Sequence, residues 1–241
     1  MIERLKLFSD GADLKGIIKA AKDLTISGFT TNPTLMKQAG ITDYKQFSLD
    51  VISHLSKYRP ETCLSLEVFA DDPDEMYHQA KIIDSWGNDF NYSVYVKIPI
   101  MTTNGNSTID LIKKLHTDKV KVNVTAVFTY NQVYPLSNVL TKEVPSIISI
   151  FAGRIADAGV DPKTLIKRAA QVKDNPKTEI LWASPREAYN YVDAFYSGAD
   201  IITMTPELIS KVKKFGKDLT EFSKETVQMF YNDALASGFK I

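Results

Sequence analysis

Short β-rich runs alternate with longer amphipathic runs along the whole chain, and that alternation leaves few architectures open. Strands are expected at 5–10, 26–31, 64–69, 94–99, 121–128, 147–152, 179–184 and 201–205, from β-branched and aromatic content bounded by turn residues. Helices are expected in the gaps at 13–23, 43–58, 73–85, 107–116, 131–140, 161–172, 185–196 and 206–215, with a terminal helix at about 219–235. Several open on a cap or a first-turn proline, as in Asp72-Pro73, Asp161-Pro162, Ser184-Pro185 and Thr205-Pro206. Eight strand–helix units in 241 residues predict an α/β fold: a parallel (β/α)8 TIM barrel with an extra C-terminal helix, as one domain over 1–241. The runner-up is an open doubly wound sheet. Against it, the first junction, Phe8-Ser9-Asp10-Gly11-Ala12-Asp13, lacks the glycine fingerprint of a dinucleotide site.

In a parallel barrel both strand faces are buried, so a polar residue on a strand needs a reason. Val94-Tyr95-Val96-Lys97-Ile98-Pro99 places Val94, Val96 and Ile98 on one face and Lys97 on the other with Tyr95. Taken alone, a lysine on the wet face of an edge strand is the plainer reading. Its companions reverse that. Read by parity, the strand ends bring forward Asp10, Thr30 with Asn32, Glu67, Lys97, Asn123 with Thr125, Ser149 with Phe151, and Ser184. Val124 and Ala126 take the opposite face of the fifth strand, and Arg154 and Arg186 lie just beyond the sixth and seventh. Each has a plainer role: Asp10 as a helix cap, Asn32 before Pro33 as turn chemistry, Glu67 as an arginine partner, Arg154 as a solvated cation, Ser184 as the N-cap of a helix opening at Pro185. One site at the C-terminal end of the barrel accounts for all of them together.

That set permits a specific chemistry. A desolvated lysine, its pKa lowered to roughly 7–8, is a nucleophile for a ketone. Asp10 and Glu67 can carry the protons of carbinolamine dehydration. Arg154 and Arg186, with Ser184 and a helix N-terminus, suit a doubly charged phosphate.

Composition narrows the alternatives. Lys+Arg and Asp+Glu both number 29, so the chain lacks the basic footprint of a nucleic-acid or membrane-surface binder. Lys113-Lys114 and Lys213-Lys214 read as solvated helix faces. A single cysteine, Cys63, rules out an internal disulfide and a multi-thiolate metal site, and reads as a small buried hydrophobe. His54, His78 and His116 share no ligand spacing, so no metal is expected. Charges in Met1-Ile2-Glu3-Arg4-Leu5-Lys6 argue against a signal peptide, and no stretch reaches membrane-spanning length, so a cytoplasmic location is expected.

Five segments, in order, resemble the transaldolases of the class I aldolase superfamily, in its small transaldolase and fructose-6-phosphate aldolase-like group. They are Gly28-Phe29-Thr30-Thr31-Asn32-Pro33-Thr34-Leu35, Tyr95-Val96-Lys97-Ile98-Pro99, Asn123-Val124-Thr125-Ala126-Val127-Phe128, Phe151-Ala152-Gly153-Arg154 and Ala183-Ser184-Pro185-Arg186. The resemblance implies that Lys97 forms a Schiff base with a ketose phosphate such as fructose 6-phosphate. It implies that Asp10 takes the C4-hydroxyl proton, and that Glu67, through a water held with Thr125, shuttles protons for iminium formation and hydrolysis. Asn32 and Asn123 would orient the dihydroxyacetone unit, with Ser149 near its terminal hydroxyl and Thr30 and Phe151 in the same pocket. Arg154, Ser184 and Arg186 would hold the phosphate. No cofactor is implied. Small members of the family often assemble through the terminal helix, which here carries Leu219, Phe222, Val227, Phe230 and Tyr231, so a homo-oligomer is expected.

Within the family, Glu67 and Phe151 resemble true transaldolases, where the fructose-6-phosphate aldolase branch tends to carry Gln and Tyr. Gly11, Pro185 and the polar loop Met101-Thr102-Thr103-Asn104-Gly105-Asn106 depart from the family pattern at the substrate mouth. They leave open whether the donor's terminal anion is phosphate or sulfonate. Two other readings stand beside transaldolase: a relative that only cleaves or condenses with free dihydroxyacetone, and a non-catalytic sugar-phosphate binder.

Overall fold

The computed structural model describes residues 5–141 and 143–241. Of the N-terminal segment read against a signal peptide, residues 1–4 lie outside the described residues. The strands are β1 (Lys6–Asp10), β2 (Ile26–Thr30), β3 (Cys63–Glu67), β4 (Ser93–Pro99), β5 (Val122–Val127), β6 (Ser146–Ile150), β7 (Thr178–Trp182) and β8 (Ile201–Met204). They pair in parallel in sequence order, and β8 returns to β1 to close the barrel. The helices are α1 (Leu14–Ala21), α2 (Pro33–Gln38), α3 (Tyr44–Tyr58), α4 (Pro73–Asp89), α5 (Ile109–Thr117), α6 (Tyr130–Val139), α7 (Ala152–Asp157), α8 (Lys163–Val172), α9 (Asn190–Ser197), α10 (Pro206–Val212) and α11 (Leu219–Ser237). The parallel (β/α)8 barrel expected from the alternation is the observed fold.

Strand alternation divides the core in two. Outward residues such as Leu66, Val96, Ile98, Val124, Ile148, Ile180 and Ile202 pack with the helices in one large apolar layer. Inward residues Phe8, Tyr95, Ile147, Leu181 and Ile201 form a smaller cluster that plugs the barrel below its C-terminal mouth. Gly28 belongs to this plug by subtraction: a Cβ there would meet the Phe8 ring at 2.6 Å. The plug makes the barrel a floor for the mouth rather than a channel.

Four local expectations are corrected. The sixth strand ends at Ile150 rather than 152, because Phe151 turns the chain into the short helix α7. Asn32 opens α2, a helix the sequence pattern does not predict, by accepting from the Leu35 amide at 3.0 Å. Ala126 does not share the outer face with Val124. Its left-handed backbone (φ 57°) bulges β5, so that Val127 takes the outer position and Ala126 faces the cavity at the barrel mouth. Finally, Ser184 does not cap a helix at Pro185. It is itself left-handed (φ 60°), and the Asn190 carboxamide accepts from the amides of Arg186 and Glu187, holding that stretch as a turn before α9 begins.

Candidate active site

The C-terminal ends of the strands surround an open cavity of about 560 Å³. Every site position singled out in the sequence lines it except Arg186. Parity explains the gathering: Asp10, Thr30, Glu67, Lys97, Thr125 and Ser149 all occupy inward-facing positions near the C-terminal ends of their strands. The mouth also strains the chain. Of four non-glycine residues with left-handed backbone among the described residues, Ala126 and Ser184 both line this cavity.

Lys97 is buried, with 8% of its side chain exposed. Its Nζ lies 2.7 Å from Glu67 Oε2 and donates to the Thr31 carbonyl at 2.9 Å. Glu67 and Lys97 are register partners on adjacent strands, which is what brings the two ends together. The Glu67 backbone is fixed in turn, because the Tyr44 hydroxyl donates to its carbonyl at 2.8 Å. Asp10 completes the charged group. Burial pushes its carboxyl above the ordinary carboxylate range, while the Thr30 hydrogen bond and the nearby Lys97 charge work against that rise and Glu67 adds to it.

The neutral groups are equally constrained. Asn123 donates to Ser65 Oγ at 3.1 Å and accepts from Ser149 Oγ at 2.7 Å, so its amide orientation is set from both sides. Thr125 Oγ1 is buried without a protein partner. Phe151 stacks on Phe128 with ring centres 5.7 Å apart, and the Arg154 guanidinium sits 5.9 Å from the Phe151 ring. Among the described residues no group of three His, Cys, Asp or Glu side chains could hold a metal ion.

Arg186 stands elsewhere. Its Nε is 3.0 Å from Asp157 Oδ2 and its Nη2 pairs with the same carboxylate, in a half-exposed contact beside a cleft containing Trp182 and Asp193. That guanidinium holds the Asp157 carboxyl below its ordinary range. The expected cluster of two arginines and a helix N-terminus around Ser184 is therefore Arg154 and Ser184 alone in this state. The α9 start, too, is displaced along the chain.

Gly153 sets how closely this rim packs. A Cβ there would lie 1.6 Å from the Ser184 carbonyl oxygen, a backbone atom that cannot swing aside. Gly153→Ala should push α7 off the end of β7. The expected cost is about 1–3 kcal/mol, read as a lower unfolding midpoint, together with weaker anion binding because Arg154 and Ser184 move apart. Unchanged stability would show that the rim yields freely.

Sequence reasoning passed over Thr203, Ser65, Tyr44 and the Thr31 carbonyl. Ser65 and Thr203 carried a usable signal, since each has the inward parity of its strand. Cys63, expected as a small buried hydrophobe, is partly buried and unpaired; burial pushes its thiol up to about 12.

The transaldolase/fructose-6-phosphate aldolase family model matches residues 7–241. A probable transaldolase of Rhizorhabdus wittichii is 34% identical over 239 residues, covering 98% of this chain and 100% of that protein. One from Dehalococcoides mccartyi is 33% identical over 210 residues, covering 86% and 90%. Among solved structures, a putative phosphonomutase from Burkholderia cenocepacia superposes with a TM-score of 0.55 over 92% of this chain and 94% of that one. At 9% identity this likeness speaks for the barrel alone.

Proposed function

Because the chain belongs to the transaldolase/fructose-6-phosphate aldolase family, we propose that it is a class I transaldolase, moving a dihydroxyacetone unit from a ketose phosphate to an aldose phosphate through a Schiff base on Lys97. Fructose 6-phosphate and sedoheptulose 7-phosphate are the donors of this reading, within cytoplasmic pentose phosphate metabolism. The observation that carries it is the buried Lys97 ammonium 2.7 Å from Glu67, in a cavity that also holds Asp10.

The Lys97 ammonium passes a proton to Glu67, leaving a neutral amine and a neutral acid. The amine nitrogen attacks the donor's C2 carbonyl carbon. The carbinolamine then loses its hydroxyl as water, with the proton supplied by Glu67, and the iminium forms. A water held between Glu67 and Thr125 Oγ1 relays these protons. The Asp10 carboxylate accepts the C4-hydroxyl proton as the C3–C4 bond breaks, and the bonding pair is taken up by the iminium to give an enamine and an aldehyde. The acceptor aldehyde adds at C3, Asp10 returns its proton to the new hydroxyl, and water hydrolyses the iminium. Asn32, Asn123 and Ser149 orient the three-carbon unit, and Thr30 holds Asp10. Reduction with borohydride in the presence of fructose 6-phosphate should leave a three-carbon adduct on Lys97, found by mass spectrometry of the peptides. An adduct elsewhere, or none, would overturn the assignment.

Arg154 and Ser184 form the near part of the phosphate site. Arg186 joins them by leaving Asp157, a solvent-screened partner that holds it weakly. One charge-assisted contact is worth about 1.5–3 kcal/mol, so Arg154→Ala and Arg186→Ala should each raise KM for phosphorylated donors roughly ten- to a hundredfold. Free dihydroxyacetone as donor has no anion to lose and serves as the control. Equal losses with both donors would assign these arginines to the fold. Higher activity with a sulfonated ketose would keep the site and change the substrate.

The terminal helix supports a homo-oligomer. No residue of α11 is buried against its own barrel, and Leu219, Phe222, Val227, Phe230 and Tyr231 are all exposed. Sedimentation should give a species larger than 27.0 kDa that Phe222→Glu with Phe230→Glu reduces to a monomer. A monomeric parent chain would refute this.

A further inference from the structure

Thr203 is one of the few polar residues at the barrel mouth to which the proposed reaction gives no part. It lies on β8, shares the inward parity of Ile201, is buried at 6% exposure and lines the cavity. Its Oγ1 is 2.5 Å from Thr30 Oγ1, and Thr30 Oγ1 in turn donates to Asp10 Oδ1 at 2.7 Å. The three residues come from β8, β2 and β1; β1 lies between the other two, and β8 reaches it only because the barrel closes between its first and last strands.

A hydroxyl has one proton and can accept from other donors as well. An ionised carboxylate can only accept. While Asp10 is ionised, the single proton of Thr30 is therefore committed to it. The short contact with Thr203 must then use the proton of Thr203, with the Thr30 oxygen accepting. We propose that Thr203 is a positioning residue for the aldol base: it donates to Thr30 so that Thr30 in turn donates to Asp10. Two hydroxyls aligned in series polarise one another and strengthen the terminal bond.

When Asp10 takes up the C4-hydroxyl proton, the chain can reverse. The carboxyl then donates to Thr30, and the Thr30 proton turns to the Thr203 oxygen. Thr203 is thus a partner in both protonation states, but its donation favours the ionised one. That matters because burial favours the neutral carboxyl. The charged groups facing Asp10 are Lys97 from β4, which favours the ionised form, and Glu67 from β3, which opposes it. Those two are themselves paired, at 2.7 Å. The hydroxyl chain from β2 and β8 supplies a bias that the charges do not fully provide.

The role of Asp10 as base rests on the proposed function; the hydroxyl chain acting on its carboxyl does not, and the test separates the two. Thr203→Val removes the hydroxyl and keeps the branched shape, and Thr203→Ser keeps the hydroxyl. The first readout needs no substrate: the carboxyl-carbon NMR titration of Asp10, assigned by its disappearance in Asp10→Asn. We expect the midpoint in Thr203→Val to rise by about one unit, a tenfold gain in proton affinity, and that in Thr203→Ser to stay with the parent. The acid limb of the cleavage rate with fructose 6-phosphate should move by the same amount, while borohydride trapping on Lys97 persists. If Thr203→Val fails to fold, Thr203→Ala replaces it, with the same shift expected. An Asp10 midpoint unmoved in Thr203→Val, or moved equally by Thr203→Ser, would overturn the inference. A shifted midpoint in a protein that forms no lysine adduct would uphold the inference and overturn the transaldolase reading instead.

Discussion

Lys97→Met should abolish dihydroxyacetone transfer, a fall of about 10⁴-fold or more, and abolish borohydride trapping with it. Methionine matches the length and apolar stem of lysine, so the β4 packing survives. What disappears is the nitrogen that attacks the ketone and the electron sink that the iminium provides. Among the described residues no other lysine lines the cavity: Lys6 on β1 and Lys121 just before β5 lie at the opposite end of the barrel, where Lys6 pairs with Glu179 at 2.8 Å and Lys121 with Ser93 at 3.0 Å. The change also leaves Glu67 without its cation. Removing one partner of a fully buried pair costs about 3–5 kcal/mol. Glu67 opens onto a cavity wide enough for water, so about 1–2 kcal/mol is expected, and Lys97→Met with Glu67→Gln should recover most of it. Thermal unfolding measures the second effect and a transfer assay the first. Trapping undiminished in Lys97→Met would end the assignment.

Lys97 was legible in the sequence because strand alternation is strict and an interior lysine is a rare interruption of a β4-like run. The same rule applied to Glu67, Asn123 and Ser149, each flanked by apolar residues of opposite parity, while Asp10, between Ser9 and Gly11, stood out by closing its strand. It stopped where the backbone leaves the ideal strand. Ala126 and Ser184 take left-handed conformations that neither residue type announces, and each re-aims the residues after it. That is why Arg186, adjacent to Ser184 and Pro185 in the chain, ends on Asp157 rather than in the cavity. Phe151-Ala152 reads as more strand because both are apolar, yet Phe151 begins a helix turn while still lining the pocket. Thr203 escaped for a different reason. Threonine is an ordinary strand residue, and its partner Thr30 is 173 positions away, brought near only by closure of the barrel. The Thr31 carbonyl that accepts from Lys97 has no sequence signature at all, because every residue carries the same group.

Asp10→Asn should separate binding from bond cleavage. The iminium forms at Lys97 with Glu67 as the proton carrier, so trapping of fructose 6-phosphate should persist, and the trapped species should now be the intact six-carbon ketose rather than the three-carbon fragment. Cleavage should fall by about 10²–10⁴-fold, the usual worth of a placed general base. The Asn oxygen still accepts from Thr30, so the hydrogen bond at 2.7 Å has a structural successor and the rim keeps its shape. Stability should move in the opposite direction to activity. Burial raises the Asp10 carboxyl in the folded protein above its ordinary value of 3.8. A raised acid is most comfortable neutral: its contribution to folding is fully present below its unfolded value and is lost as pH rises through the folded one. At neutral pH the parent therefore carries an unfavourable buried charge that the neutral amide lacks. Asp10→Asn should unfold at a higher temperature than the parent near pH 7, and the difference should fade as the pH is lowered towards the ordinary carboxylate range. The same shift places the acid limb of the parent's cleavage rate above that range, because the base must be ionised to act. Near-normal cleavage in Asp10→Asn would remove Asp10 from the role of base. A variant less stable than the parent at pH 7 would show that Lys97 and Thr30 more than offset the burial of its charge.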